Sequence, residues 1–332
     1  MNPRERLLTL LAGDKADRPA VTVWRHFYHR ETTARGLADA MVDFQERFGW
    51  DLMKINPRAS YHMEDWGNVL DWSDSEFKKH NKTKFAVETL ADWDKIEVLP
   101  PTTAVLAEHL QAVSLIRKRV GPDLPILMTV FTPLSIAGDL VKNDQTLLDH
   151  LAEDESRVLG AIERIAQTFT AFSAELRNAG ADGLFYATTQ WASASLLTYA
   201  QYEKYGRKYD LAPLTAAGDD AINLLHVCAS QNYLKELSDY PVGIVNWDES
   251  DPTNALLSDG IDMIGNKLAL GGLDHSGWLL QATPEEIAFK VREIYASQQG
   301  KRFIFGPGCS IPPETPMENL TALSETIKQL RA

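Results

Sequence analysis

Asn223-Leu-Leu-His226-Val-Cys228-Ala229 lies in the mostly apolar run 221–228. A short apolar run of this kind reads as a buried strand, in which residues i and i+2 share a face. The same signal recurs along the chain. Apolar, often β-branched runs at 20–24, 51–55, 125–131, 183–188, 222–228, 243–247, 268–273 and 302–305 read as eight strands. Most are followed by a stretch with helical spacing, including 32–48, 103–119, 202–217, 284–297 and 317–330. Eight strands alternating with helices predict an α/β fold, a (β/α)₈ TIM barrel. An open doubly wound sheet would announce a glycine-rich first turn, G-x-G-x-x-G, and none occurs. The spacing predicts one domain over 1–332, with an N-terminal helix and an insertion at about 56–99, where Phe85–Glu88 reads as part of a small hairpin.

Composition narrows the function. The chain has 332 residues, 44% hydrophobic and 24% charged, as a globular protein does. A net charge of −13 argues against nucleic acid as a partner. No run of about 18 apolar residues is present, so no membrane span is expected. The opening Met1-Asn-Pro-Arg-Glu-Arg reads as an amphipathic helix, not a leader. Two cysteines without a secretion signal predict a reducing, cytoplasmic setting and no disulfide.

Those two cysteines focus the search. In a barrel the active site is built at the C-terminal ends of the strands. His226 and Cys228 fall at the tip of the fifth strand, on one face, and Cys309 follows the eighth. Imidazole and thiolate are the usual ligands of zinc, and three protein ligands with an open fourth position mark a catalytic site. Metal: His226, Cys228 and Cys309 is therefore the leading expectation. A free cysteine is otherwise a small buried hydrophobe. Asp248 or Glu249, after the sixth strand, is the candidate fourth ligand, although Asp-Glu before Ser250-Asp-Pro also suits a helix cap. Glu249 and His275 are candidate catalytic groups. Arg25, His26 and Arg58, at the first two tips, suit an anionic substrate group. Tyr186 is a candidate for lining the mouth. Sulfur-rich ligation suits holding a thiol as its nucleophilic thiolate better than activating water.

The chain also resembles a known family. Asn2-Pro-Arg-Glu-Arg-Leu-Leu, Gly180-Ala-Asp-Gly-Leu-Phe with Tyr202-Glu-Lys-Tyr, and Pro307-Gly-Cys-Ser-Ile-Pro-Pro-Glu-Thr-Pro-Met-Glu-Asn are similar to the uroporphyrinogen decarboxylase superfamily. That resemblance implies a distorted (β/α)₈ barrel. It departs from the decarboxylases in two places. Cys309 stands where they carry a histidine in Gly-His-Gly-Ile, and Trp24-Arg-His-Phe-Tyr-His stands for their Arg-Gln-Ala-Gly-Arg. His226, Cys228 and Cys309 match the zinc ligands of the methylcobamide:coenzyme M methyltransferase branch. Cobalamin-independent methionine synthase, similar at this site, adds a carboxylate, as Asp248 or Glu249 would. The resemblance implies zinc-dependent transfer of a methyl group from methylcobalamin or another corrinoid, held on a corrinoid carrier protein, to a small-molecule thiol acceptor. Alternatives are decarboxylation of a tetrapyrrole or other carboxylate, and corrinoid binding without catalysis. A homodimer is the accompanying expectation for the assembly.

Overall fold

The computed structural model describes residues 1–331. Nine strands occur among them: β1 (Met53–Ile55), β2 (Val69–Asp71), β3 (Asn81–Lys84), β4 (Ile126–Phe131), β5 (Gly183–Ala187), β6 (Leu224–Val227), β7 (Ile244–Trp247), β8 (Leu268–Leu273) and β9 (Phe303–Pro307). Seven form one parallel sheet in the order β1-β4-β5-β6-β7-β8-β9. Parallel neighbours need crossovers, and helices such as Ala104–Val120, Glu155–Ala179 and Pro284–Ser297 supply them. Seven of the eight expected strands are thus present, in chain order, as a curved half-barrel.

The expected first strand, 20–24, is reduced to a single bridge, Val21 against Phe305. Its segment still spans the gap. Thr22 N donates to Phe305 O and Phe305 N to Ala20 O, both at 2.9 Å, while Asp51 N donates to Val21 O at 2.8 Å. On the β1 side a side chain stands in for a ladder amide: Thr22 Oγ1 donates to Leu52 O at 2.6 Å. That substitution is why a β-branched run fails to become a regular strand.

Alternation along the strands sorts the core into two layers. Trp24, Leu52, Leu127, Phe185, Leu224 and Ile304 pack together inside the sheet. Leu225, Val227, Tyr186 and Val245 belong to the outer layer, against the helices. The reading of 221–228 holds: Leu224 and His226 share the inner face, Leu225 and Val227 the outer.

The helices follow local rules. Asn2 and Glu5 form a capping box at Pro3–Ala12. Gly180 ends the 25-residue helix Glu155–Ala179 in the left-handed conformation, at φ 109°. The expected helix at 202–217 is broken into Tyr199–Tyr202, a π-helical turn Glu203–Arg207 and Lys208–Thr215. The hairpin expected at 85–88 is instead β2 with β3, antiparallel. No helix among the described residues is long and apolar enough to cross a membrane.

Candidate metal centre

The tips of β6 and β9 bring together His226, Cys228 and Cys309, whose donor atoms all lie within 4.8 Å of one another. His226 is the last inward-facing residue of β6, and Cys228 follows one step beyond the strand. Ala229 then turns the chain away with φ 69°, a left-handed conformation that is strained for a residue with a Cβ. Cys309 is delivered by Gly306-Pro307-Gly308. A Cβ on Gly308 would lie 2.5 Å from Asp248 Oδ1, so only glycine lets Asp248 approach this loop.

Hydrogen bonds fix which nitrogen of His226 faces the cluster. Asn246, on β7, donates Nδ2 to Leu270 O at 2.8 Å and Pro307 O at 3.1 Å. Its amide is therefore oriented, and its Oδ1 points at His226 Nδ1, 2.6 Å away. An amide oxygen only accepts, so Nδ1 carries the proton and Nε2 keeps its lone pair. That is the arrangement of a metal-binding histidine held by an outer partner. The two thiols interact directly. The hydrogen bond from the Cys228 thiol holds Cys309 well below the ordinary thiol value. The same hydrogen bond and burial push Cys228 up. One imidazole with a fixed tautomer and two thiols, their donor atoms within 4.8 Å of one another, fit a zinc ion.

The remaining expectations fare unequally. Asp248 lies on the cluster side, with Oδ1 3.9 Å from His275 Nδ1. Burial raises its carboxyl above the usual range. His275 Nδ1 is buried and has no hydrogen-bond partner. Glu249 is turned away: its Oε1 accepts from Gly272 N, and its carboxylate packs against Gly271. Burial pushes it up to about 7, and it is outside the group of three converging donors. Successive residues point to opposite sides, and Asp248 takes the inward one.

Arg25 is buried beside the mouth. It donates Nη2 to Glu76 at 2.9 Å, and its Nη1 is buried without a partner. His26 Nδ1 lies 3.1 Å from the buried Glu31 carboxylate, and its ring stacks on Tyr28. Arg58 is not free for a ligand. It donates to Glu64 Oε1 and Oε2, to Glu108 at 2.7 Å and to Glu31 O. Tyr186 lies on the outer face of β5, fully buried, with its hydroxyl donating to Asp210 O at 2.9 Å. It does not line the mouth, because in β5 the inward positions are Phe185 and Ala187.

Three residues escaped the sequence reading. Asn246 is hidden within an apolar strand. Glu31 is wholly buried beneath His26. Lys54, in β1, is buried inside the barrel, and its Nζ donates to Asn56 Oδ1. The inward parity of Leu52, Lys54 and Asn56 was the available signal, but a three-residue strand makes it faint.

Known proteins are consistent with this geometry. Residues 2–330 match the family model for uroporphyrinogen decarboxylase (URO-D). Methylcobamide:CoM methyltransferase MtbA of Methanosarcina mazei is 24% identical, over 99% of this chain and 98% of its own. Uroporphyrinogen decarboxylase of Syntrophotalea carbinolica is 26% identical over 74% of this chain and 71% of its own. In three dimensions, a methyltransferase from Methanosarcina mazei superposes with a TM-score of 0.84 over 99% of both chains, at 19% identity.

Proposed function

The chain belongs to the uroporphyrinogen decarboxylase family, and on that premise we propose that it is a zinc-dependent methyltransferase acting from a methylated corrinoid to a thiol. The observation that carries this reading is the convergence of His226, Cys228 and Cys309 at two strand tips. Relatives named for methylcobamide:CoM methyl transfer support it.

The chain's residues have separate tasks. His226, Cys228 and Cys309 would hold the metal, and Asp248, on the same side, is the carboxylate that would supply a further oxygen donor. Zinc bound there would deprotonate the incoming thiol and keep its sulfur nucleophilic. Asn246 fixes the His226 ring. His275, with its unpartnered Nδ1 near Asp248, is placed to take the thiol proton. The buried, unpartnered Nη1 of Arg25 is the donor best placed for an anionic end of the acceptor. The methyl donor, a corrinoid on a carrier protein, approaches the strand-tip side. There the segment 20–24 closes the ring as the eighth member of a (β/α)₈ barrel. A reducing cytoplasm keeps both cysteines as thiols.

Metal content is the direct test. Purified protein should carry about one zinc per chain, and Cys228→Ala and Cys309→Ala should each lose it, together with thiol-dependent demethylation of methylcobalamin. Turnover retained in Cys309→Ala, or no zinc after reconstitution under reducing conditions, would overturn the proposal. The second outcome would favour the decarboxylase alternative, whose assay is consumption of a tetrapyrrole carboxylate.

A further inference from the structure

Lys54 is the one inward-facing ammonium among the described residues of the barrel strands, and nothing in the proposed chemistry above uses it. Its side chain is fully surrounded. Nζ lies 4.6 Å from the centre of the Phe185 ring and 5.6 Å from that of Trp24. The same Phe185 ring also packs against His226, with ring centres 5.2 Å apart. Only Asn56 accepts a hydrogen bond from it, and no carboxylate is paired with it. Asn56 in turn donates to Ser310 Oγ at 3.1 Å, the residue after Cys309. Lys54 therefore reaches the cluster by two routes, through Phe185 to His226 and through Asn56 and Ser310 to the Cys309 loop.

An isolated buried ammonium is costly and survives only with compensation. Aromatic faces supply part of it. Burial pulls Lys54 down to about 7, and Cys309, Glu31 and Cys228 act against that pull. The charge balance of the site indicates what completes the compensation. A dication with two thiolates is neutral. A third sulfur anion leaves the centre with one surplus negative charge in a low-dielectric interior.

Building on the zinc reading, we propose that Lys54 is a positioning residue that offsets this surplus charge, favouring an anionic sulfur as the fourth ligand and so tightening zinc binding when a thiol is present. It does so without touching the substrate, through Phe185 and the Asn56–Ser310 pair.

The test compares wild-type protein with Lys54→Met and Lys54→Gln. Zinc affinity is measured by chelator competition with a simple alkanethiol present, and apo-protein stability by denaturant unfolding. Both variants should bind zinc at least about tenfold more weakly, equivalent to ~1.4 kcal/mol. Apo Lys54→Met should be as stable as wild type or more so, because an unpaired buried ammonium has gone. Either variant within about twofold of wild type would overturn the inference. A loss of affinity that tracks a loss of apo stability would overturn it too, showing a packing role. If the wild type binds no zinc, the functional reading falls and takes this inference with it. If the wild type binds and the variants bind equally, the inference alone falls.

Discussion

At the scale of single residues, the cluster depends on atoms that are not ligands. Asn246 aims His226 through one 2.6 Å hydrogen bond, and its own orientation is set by two backbone carbonyls. Asn246→Ala should leave the protein folded but free the ring to rotate or change tautomer. About a ten- to hundredfold weaker zinc affinity is expected, the usual effect of removing such a partner. Chelator competition reads it, and unchanged affinity would show that the tautomer is set elsewhere. The three cluster residues themselves were legible in the sequence because cysteine is rare here and His-x-Cys has the period of a strand. Asn246 and Lys54 were not. Each is one polar residue in an apolar run, and only the neighbouring strand reveals what it faces. Glu249 shows the opposite failure. Adjacent to Asp248, it shared every sequence argument, and only the direction of its side chain separates them.

At the scale of elements, pattern and outcome differ where tertiary contacts replace regular pairing. The run 20–24 has strand composition, yet Thr22 Oγ1 takes a backbone rung. The helix expected at 202–217 carries a π-helical turn, and Tyr202 and Asp210 meet across it. The Tyr202 and Tyr240 hydroxyls each donate to Asp210 Oδ2 at 2.7 Å. The Tyr186 hydroxyl bonds the Asp210 carbonyl, so three elements converge on one residue. Burial pushes the Asp210 carboxyl up to about 6 from an ordinary value of 3.8. The folded state therefore holds this proton more tightly than the unfolded chain. Its contribution is present in full below about pH 4 and is lost as pH rises through about 6, amounting to about 3 kcal/mol. Denaturant unfolding of wild type and Asp210→Asn should show this slope between pH 4 and 6 in the wild type only. Parallel slopes would mean that the carboxyl titrates alike in both states.

At the scale of the whole molecule, charge ties the 20–24 segment to the edge of the half-barrel. Asp51, just before β1, accepts from Arg6 of the N-terminal helix at 2.7 Å, from Arg18 at 2.7 and 2.9 Å, and from Val21 N at 3.0 Å. The Asp51 side chain is 1% exposed and that of Arg6 is 5%. Asp51→Ala would leave Arg18 and the amide of the segment that bridges β9 without their carboxylate, while Arg6 would keep only its pair with Asp17. A loss of about 3–5 kcal/mol is expected in denaturant unfolding; a loss below about 1 kcal/mol would mark this link as a surface pair. The alternation of strand and helix made the half-barrel legible from sequence. The hairpin at β2 and β3 was displaced because the insertion has no periodicity long enough to fix a register.

The position of Cys309 also orders events in time. His226 and Cys228 stand ready once β6 has formed, but their third partner arrives only after β9, the last strand of the sheet, has docked between β8 and the Val21 segment. A nascent chain emerging from a ribosome therefore carries only two of the three donors until the segment after β9 is made. The cluster is complete only with that strand in place, so capture of an ion there would serve as a receipt for a finished sheet.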